Sequence, residues 1–290
     1  MPNQRAVPTL RRRRLGEALL AARKAARPEV SQGRAALAMH WDESKLSRIE
    51  NARARIKPTE VVELLKVYGV TDAGTITALQ DLARDAGKQG WWHTFGDVVT
   101  PGYSDYLTLE SDAESTHIWA PQLIPGLLQT GSYAREIISA TGMTRTSEEI
   151  NALAEIRKAR QAVLTRPAGP LNMWAVIDIG ILHQRSASHP SMMREQVRHL
   201  LDLADLPNVT IQVMDLDATP HPGLAGGFHV IRFPQPWPTV VNLENLRGGS
   251  FVEGTADARV YEAAFERIVA AALSVADSRQ KLSEYLERVV

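Results

Sequence analysis

Apolar positions in the first 85 residues recur at helical spacing. Leu15, Ala18, Leu19 and Ala22 fall on one stripe of a helix. Pro28 blocks continuation of that helix. Ser31 is a suitable N-cap for a short second helix ending near Met39. Asp42 or Ser44 begins a third, which turns Leu46 and Ile49 inward. Lys57-Pro58-Thr59-Glu60 opens a fourth, with Val61, Leu64, Leu65 and Tyr68 apolar, and Gly69 suits the left-handed position that ends it. Thr71 starts a fifth, with Ile76, Leu79, Leu82 and Ala83 on one side. Met1–Thr9 has no periodicity and reads as a flexible arm.

The pattern changes near Gly87, and the boundary between two domains is placed between Asp85 and Gly102. Beyond it, Asp105–His117, Leu127–Ala140 and a stretch from Ser147 to about Arg166 carry helical character. Strands are predicted from Leu171 onward: Leu171–Asp178, Val209–Val213 with alternation at period two, Phe228–Phe233, Thr239–Leu243 and Ser250–Val252. Helical spacing returns at Met192–Leu206, Arg259–Leu273 and Asp277–Val290. The expected fold class is an all-α bundle of five helices followed by a larger α+β domain with a small mixed sheet. The expected division is residues 1–70 as a first domain, 71–89 as a connecting helix and 90–290 as the second domain.

Charge alters this picture. The chain carries 33 Lys/Arg and 33 Asp/Glu, but residues 1–57 hold 14 cations and 5 carboxylates, leaving 19 and 28 for the rest. The neutral total is a cancellation between a basic segment and an acidic one. Such asymmetry points to a polyanion partner for the basic part, with a merely solubilising surface as the alternative. The absence of cysteine excludes disulfides, thiolate metal sites and thiol nucleophiles, and fits a reducing, cytoplasmic setting. No apolar run is long enough for a membrane span, so no membrane partner is expected. The basic N-terminus lacks the apolar core of a secretory signal.

The second and third predicted helices are joined only by the tight stretch Met39-His40-Trp41, the geometry of a helix-turn-helix. Ala35, Ala36 and Met39 pack the first helix of the pair, and Leu46 and Ile49 the second. That leaves Glu43, Ser44, Lys45, Ser47 and Arg48 to project outward. Val30-Ser31-Gln32 followed by Ser44-Lys45-Leu46-Ser47-Arg48-Ile49-Glu50-Asn51 resembles the Xre/Cro/C1-type helix-turn-helix. The resemblance implies double-stranded DNA as partner, with Gln32 on a phosphate and the outward residues of the third helix facing the major groove. It also implies that Glu50 and Asn51 brace the helix end. Members of that family usually carry Gly where His40 and Ala52 stand, because those positions favour left-handed backbone. Further phosphate contacts are expected from Arg11, Arg12, Arg13, Arg14, Arg53, Arg55 and Lys57. A homodimer is expected, since one such module reads few base pairs.

The rest of the chain resembles the second domain of actinobacterial regulators of the WhiJ type, which are antitoxin-like. The segments that carry the resemblance are Gly90-Trp91-Trp92, Pro101-Gly102-Tyr103, Pro121 to Thr130, Ala134-Arg135, Met193 to Val197 and Leu206 to Thr210. It implies a transcriptional regulator whose second domain takes a small-molecule effector or a small acidic partner protein. Capture of that partner as the main task is a second reading. No HExxH, GxSxG, P-loop or GxGxxG string is present and no His pair has i, i+4 spacing. A non-enzyme without metal or cofactor is therefore expected, and an enzyme fused to a DNA-binding module is the remaining alternative. Trp91, Trp92, Trp119 and Trp174 are candidates to line an apolar pocket with His93 beside them, although aromatics more often pack a core. The loop His221–Gly227, including Gly226, suits either a small anion on backbone N–H groups or a plain strand connection.

Overall fold

Helices form where the apolar stripes fall: α1 (Leu10–Ala25), α2 (Gln32–Ala38), α3 (Glu43–Glu50), α4 (Pro58–Val67) and α5 (Ala73–Asp85). The structure is a computed structural model that describes residues 9–88, 90–142, 145–167, 169–234, 237–245, 248–253 and 255–288. The chain divides into two units, Met1–Trp91 and Trp92–Val290. Of the arm expected over Met1–Thr9, residues 1–8 lie outside the described residues. Thr9 itself is the N-cap of α1, and its hydroxyl donates to the Ala86 carbonyl at 2.8 Å. The segment expected to be a connector is α5, which packs against α1 and α4 within the first unit.

Leu19, Ala35, Leu46, Val61, Leu64 and Leu65 are fully buried and make the core of this bundle. α1 crosses the end of α3 at Gly16, where a Cβ would lie 2.6 Å from the Glu50 carbonyl oxygen, so only glycine permits the approach. Three helices end in the same way. After α2 the His40 N–H bonds the Leu37 carbonyl and the Trp41 N–H the Ala36 carbonyl. After α3, Ala52 bonds Ile49 and Arg53 bonds Arg48. After α4, Gly69 bonds Lys66 and Val70 bonds Leu65. Each is a Schellman motif with its left-handed residue at C′. Gly69 holds that position at φ 76°, but His40 and Ala52 hold it at 53° and 57°. Among the described residues they are the non-glycine residues with positive φ.

His40 is exposed, so its backbone strain is not offset by packing. His40→Gly is expected to stabilise the first unit by about 0.5–1 kcal/mol, the αL cost less the added freedom of the unfolded chain. Urea unfolding followed by helical circular dichroism measures it; a loss of stability would mean that the imidazole contributes more than its backbone costs.

The second unit has one six-stranded mixed sheet, ordered β3-β2-β1-β4-β5-β6. Its strands are β1 (Ser115–Ala120), β2 (Asn172–Asp178), β3 (Val209–Met214), β4 (Phe228–Arg232), β5 (Val240–Asn245) and β6 (Gly248–Val252). β1, β2 and β3 are parallel, while β4, β5 and β6 continue antiparallel from the other side of β1. The helices are α6 (Pro101–Asp112), α7 (Gly131–Thr141), α8 (Ser147–Arg160), α9 (Met192–Leu203), α10 (Thr255–Ala271) and α11 (Val275–Arg288). α10 packs on β1, β4 and β5, and α11 on β3 and α9. Trp119, Val176, Val230, Val241, Phe265 and Ile268 form the core beneath α10. Among the described residues no helix is long and apolar enough to cross a membrane.

The helix expected over Asp105–His117 is in fact α6 ending at Asp112, with the central strand β1 after it. Arg166 stops the helix by donating to the Ser111 and Ala113 carbonyls, a contact from 53–55 residues away that no local pattern reveals. His117 lies on that strand against Arg232 of β4, whose guanidinium donates to the ring at 2.8 Å. Burial, with the Arg232 charge, lowers the His117 pKa to about 4, so the ring is a neutral acceptor. The helix expected over Leu127–Ala140 begins later. Gly126–Leu128 is a 3₁₀ turn, and Thr130 caps α7 by accepting from the Tyr133 N–H.

Candidate nucleic-acid interface

Ser31 caps α2 by accepting from the Arg34 N–H, which places Gln32 at the first turn. The turn at His40 then delivers α3. Leu46, Ile49 and Glu50 of α3 are buried, and Glu43, Ser44 and Arg48 are exposed with Ser47 half-buried beside them. The outward set read from the sequence therefore shares one face of α3, apart from Lys45. Its ammonium is 3.0 Å from Glu60 Oε1 on α4 and 3.8 Å from the centre of the Trp41 ring. A base or phosphate contact by Lys45 has to compete with both.

Glu50 anchors this face from behind. Its carboxylate accepts from Arg23 Nε at 2.7 Å and Arg23 Nη2 at 3.0 Å, and from Gln32 Nε2 at 2.8 Å. Gln32 is thus positioned by the residue that ends α3. Burial, then the Glu50 charge, holds the Tyr68 phenol well above its ordinary range. Asn51 closes the same helix end by donating to the Ser47 carbonyl at 2.8 Å.

The four arginines at the start of α1 do not form one exposed cluster. Arg14 is only 9% exposed, and Arg11, Arg12 and Arg13 are half-buried. Four cations at a helix N-terminus oppose the helix dipole and so cost stability locally. Arg12 faces Arg55 across a cavity of about 110 Å³ that Leu15, Ile49 and Gly87 also line. Burial and the Arg55 charge both lower the Arg12 pKa, and its Nε is buried without a hydrogen bond among the described residues. Two guanidiniums converging in this way are the arrangement that an oxyanion relieves. Arg53, Arg55 and Lys57 are exposed along the connection from α3 to α4.

In the second unit the candidate tryptophans Trp92, Trp119 and Trp174 do not line one pocket, and Trp91 is the last residue of the first unit. Trp92 is buried with Leu107, Ile138 and Ile156, and its Nε1 donates to Ser104 Oγ at 3.0 Å. Trp119 and Trp174 belong to the core beneath α10. Trp174 Nε1 donates to Gln212 Oε1 at 2.7 Å, and Trp119 Nε1 donates to the Gly223 carbonyl at 2.8 Å. Trp91 is 43% exposed and His93 is exposed. The loop from His221 to Gly227 connects β3 to β4 and lies over Trp119 so closely that a Cβ on Gly223 would be 2.5 Å from the indole nitrogen. His221 Nδ1 accepts from the Gly223 N–H, so the loop satisfies itself, with Gly226 at φ 129°.

Residues 9–75 match a family described as a helix-turn-helix domain, and residues 103–284 match a second family, described as a domain of unknown function (DUF5753). The chain belongs to the DUF5753 family. Its N-terminal unit is a helix-turn-helix domain of the DNA-binding regulator type, and its C-terminal unit carries the DUF5753 domain. No curated protein and no solved structure matches the chain.

Sequence reasoning missed the charged groups buried in the DUF5753 domain. Arg160 donates to Glu110 through Nε at 2.7 Å and Nη2 at 2.6 Å, and both side chains are under a tenth exposed. Tyr106 bonds His229 at 3.2 Å. The available signal was the position of Arg160, four residues after Ile156, on the apolar stripe of α8.

Proposed function

We propose that the protein is a sequence-specific, DNA-binding transcriptional regulator. It acts as a homodimer with α3 of each copy in a major groove. The DUF5753 domain receives the controlling signal, a small-molecule effector or a small partner protein. The observation that carries the reading is α3 itself: two left-handed turns and a buried Glu50 hold its apolar side inward and present Ser44, Ser47 and Arg48 together. Hydroxyls and one guanidinium are the groups that read base edges. Gln32, Arg12 with Arg55, Arg53 and Lys57 supply phosphate contacts around that helix. The similarity of Pro121 to Thr130 and its companion segments to WhiJ-type regulators supports the signal-receiving role.

Selection of duplexes from a random pool by the full chain gives the operator, and affinities for operator and random duplex then test the reader. Arg48→Ala is expected to reduce their ratio by about tenfold to a hundredfold, the worth of one bidentate base contact. Arg55→Ala should weaken both duplexes about equally and reduce the salt dependence by about one phosphate. An unchanged ratio for Arg48→Ala removes α3 as the reader. Selected sites with a single unrepeated element remove the homodimer.

A further inference from the structure

A second cleft, of about 100 Å³, opens within the DUF5753 domain off the carboxyl end of β1. There the sheet passes from the parallel β1–β2 pair to the antiparallel β1–β4 pair. Crevices beyond the carboxyl ends of strands, where the chain changes direction, are where open sheets with flanking helices take ligands. The Pro121–Gly126 segment forms one wall, Phe228 and His229 of β4 another, and Arg157 and Arg160 of α8 project from a third side.

The charges of these two arginines are compensated differently. Arg160 is neutralised by Glu110. Arg157 forms no ion pair among the described residues; its Nη1 donates to the neutral amide oxygen of Gln129 at 2.6 Å. Gln129 is 5% exposed and fixed at its other end, because its Nε2 donates to the Ile124 carbonyl at 2.7 Å. It therefore holds the guanidinium by one nitrogen, and Arg157 makes no other side-chain hydrogen bond among the described residues while lining the cleft. Burial lowers the Arg157 pKa and the Arg160 charge adds to this, against a smaller opposing pull from Glu244. A cation so placed is costly unless an anion joins it. Glu244 of β5 stands on the cleft lining and is exposed, with no ion pair to Arg157 among the described residues.

We propose that this cleft is a carboxylate-binding site: Arg157 takes the carboxylate of a small organic acid or of a chain terminus, Gln129 positions the guanidinium, and Pro121 with Pro125 covers the adjoining carbons. The space equals about three waters, which suits a carboxylate and its neighbouring carbon. One planar fork without a second free cation suits a monoanion. Glu244 excludes groups of higher negative charge. The proposal rests on the reading that the DUF5753 domain receives a signal, and gives that signal its chemistry.

The full chain is titrated with propionate, standing for a free acid, and with N-acetylalanine, standing for a chain terminus. Propionamide is the uncharged control. Arginine Nε–Hε resonances and thermal melting are read on the same samples. Saturable binding of either acid is expected and of propionamide is not; whichever acid binds more tightly identifies the source. Arg157→Gln should abolish the response, Arg157→Lys should weaken it about tenfold by losing the fork, and Glu244→Gln should tighten it severalfold. Glu244→Gln keeps the test open where Arg157→Gln fails to fold. No saturable response from the folded wild type, or a response that folded Arg157→Gln retains, overturns the site. Operator affinity is measured with and without a saturating acid. A saturated cleft that leaves it unchanged supports the site and removes its role as the signal receiver; lost operator binding with an intact acid response removes the DNA reading alone.

Discussion

Glu110→Ala is expected to destabilise the DUF5753 domain by about 3–5 kcal/mol, the cost of leaving one member of a buried ion pair without its partner. The stranded group is Arg160. It loses both charge-assisted bonds, at 2.7 and 2.6 Å, and keeps its 3.2 Å donation to the Tyr103 hydroxyl and its places 5.8 and 5.0 Å from the centres of the Tyr103 and Tyr106 rings. Solvent compensates little, since its side chain is 7% exposed. The double change Glu110→Leu with Arg160→Met removes both charges and should recover most of the loss, because the pair's attraction is largely spent on its own desolvation. Urea unfolding followed by tryptophan fluorescence separates the cases. A loss below about 1 kcal/mol for Glu110→Ala would place the pair in solvent in practice. The damage should also reach the cleft: a Cβ on Gly126 would lie 3.2 Å from Arg160 Nη1, so this guanidinium supports the wall that Gly126 belongs to.

The same pair shows why parts of the molecule were legible in the sequence and parts were not. α2 and α3 are specified locally. Ser31 caps, Leu46 and Ile49 alternate with polar positions at helical spacing, and the bends at His40 and Ala52 could be anticipated from the glycines that related turns carry. β1 is specified from a distance. Ser-Thr-His-Ile-Trp-Ala shows no alternation because both faces of this central strand are covered, and its polar members are satisfied by neighbours such as Arg232. Central strands lose the period-two signal for this reason. The charged residues of the cleft were hidden differently. From the sequence Arg157 reads as part of a solvated face, and Arg160, although on the apolar stripe, has its partner Glu110 50 positions earlier. Lys45 projects outward in the sequence pattern for the same reason, its partner Glu60 being on the next helix. The family match covers both units but leaves the DUF5753 domain without an assigned activity, so its chemistry has to come from groups like these.

Glu50→Ala is expected to cost the N-terminal unit about 3–5 kcal/mol, a large share of the about 4–12 kcal/mol that a unit of this size has. The carboxylate is 5% exposed and accepts three hydrogen bonds, two from Arg23 and one from Gln32. Its removal strands the Arg23 guanidinium between α1 and α3 and leaves the Gln32 amide without its acceptor. Operator binding should disappear with the fold, which by itself says little about recognition. The informative variant is Arg23→Met with Glu50→Leu. It removes the charges together and should return stability to within about 2 kcal/mol of the wild type. Only the Val30 carbonyl then loses a donor, the one that Arg23 Nη1 supplies at 3.2 Å. Gln32, however, remains unanchored. If Glu50 positions Gln32 for a phosphate, the folded double variant binds operator and random duplex more weakly by similar factors, because a phosphate contact carries no sequence information. If Glu50 only closes the bundle, the folded double variant binds both duplexes as the wild type does. Fluorescence anisotropy on the two duplexes, with helical circular dichroism to establish the folded fraction, decides between them.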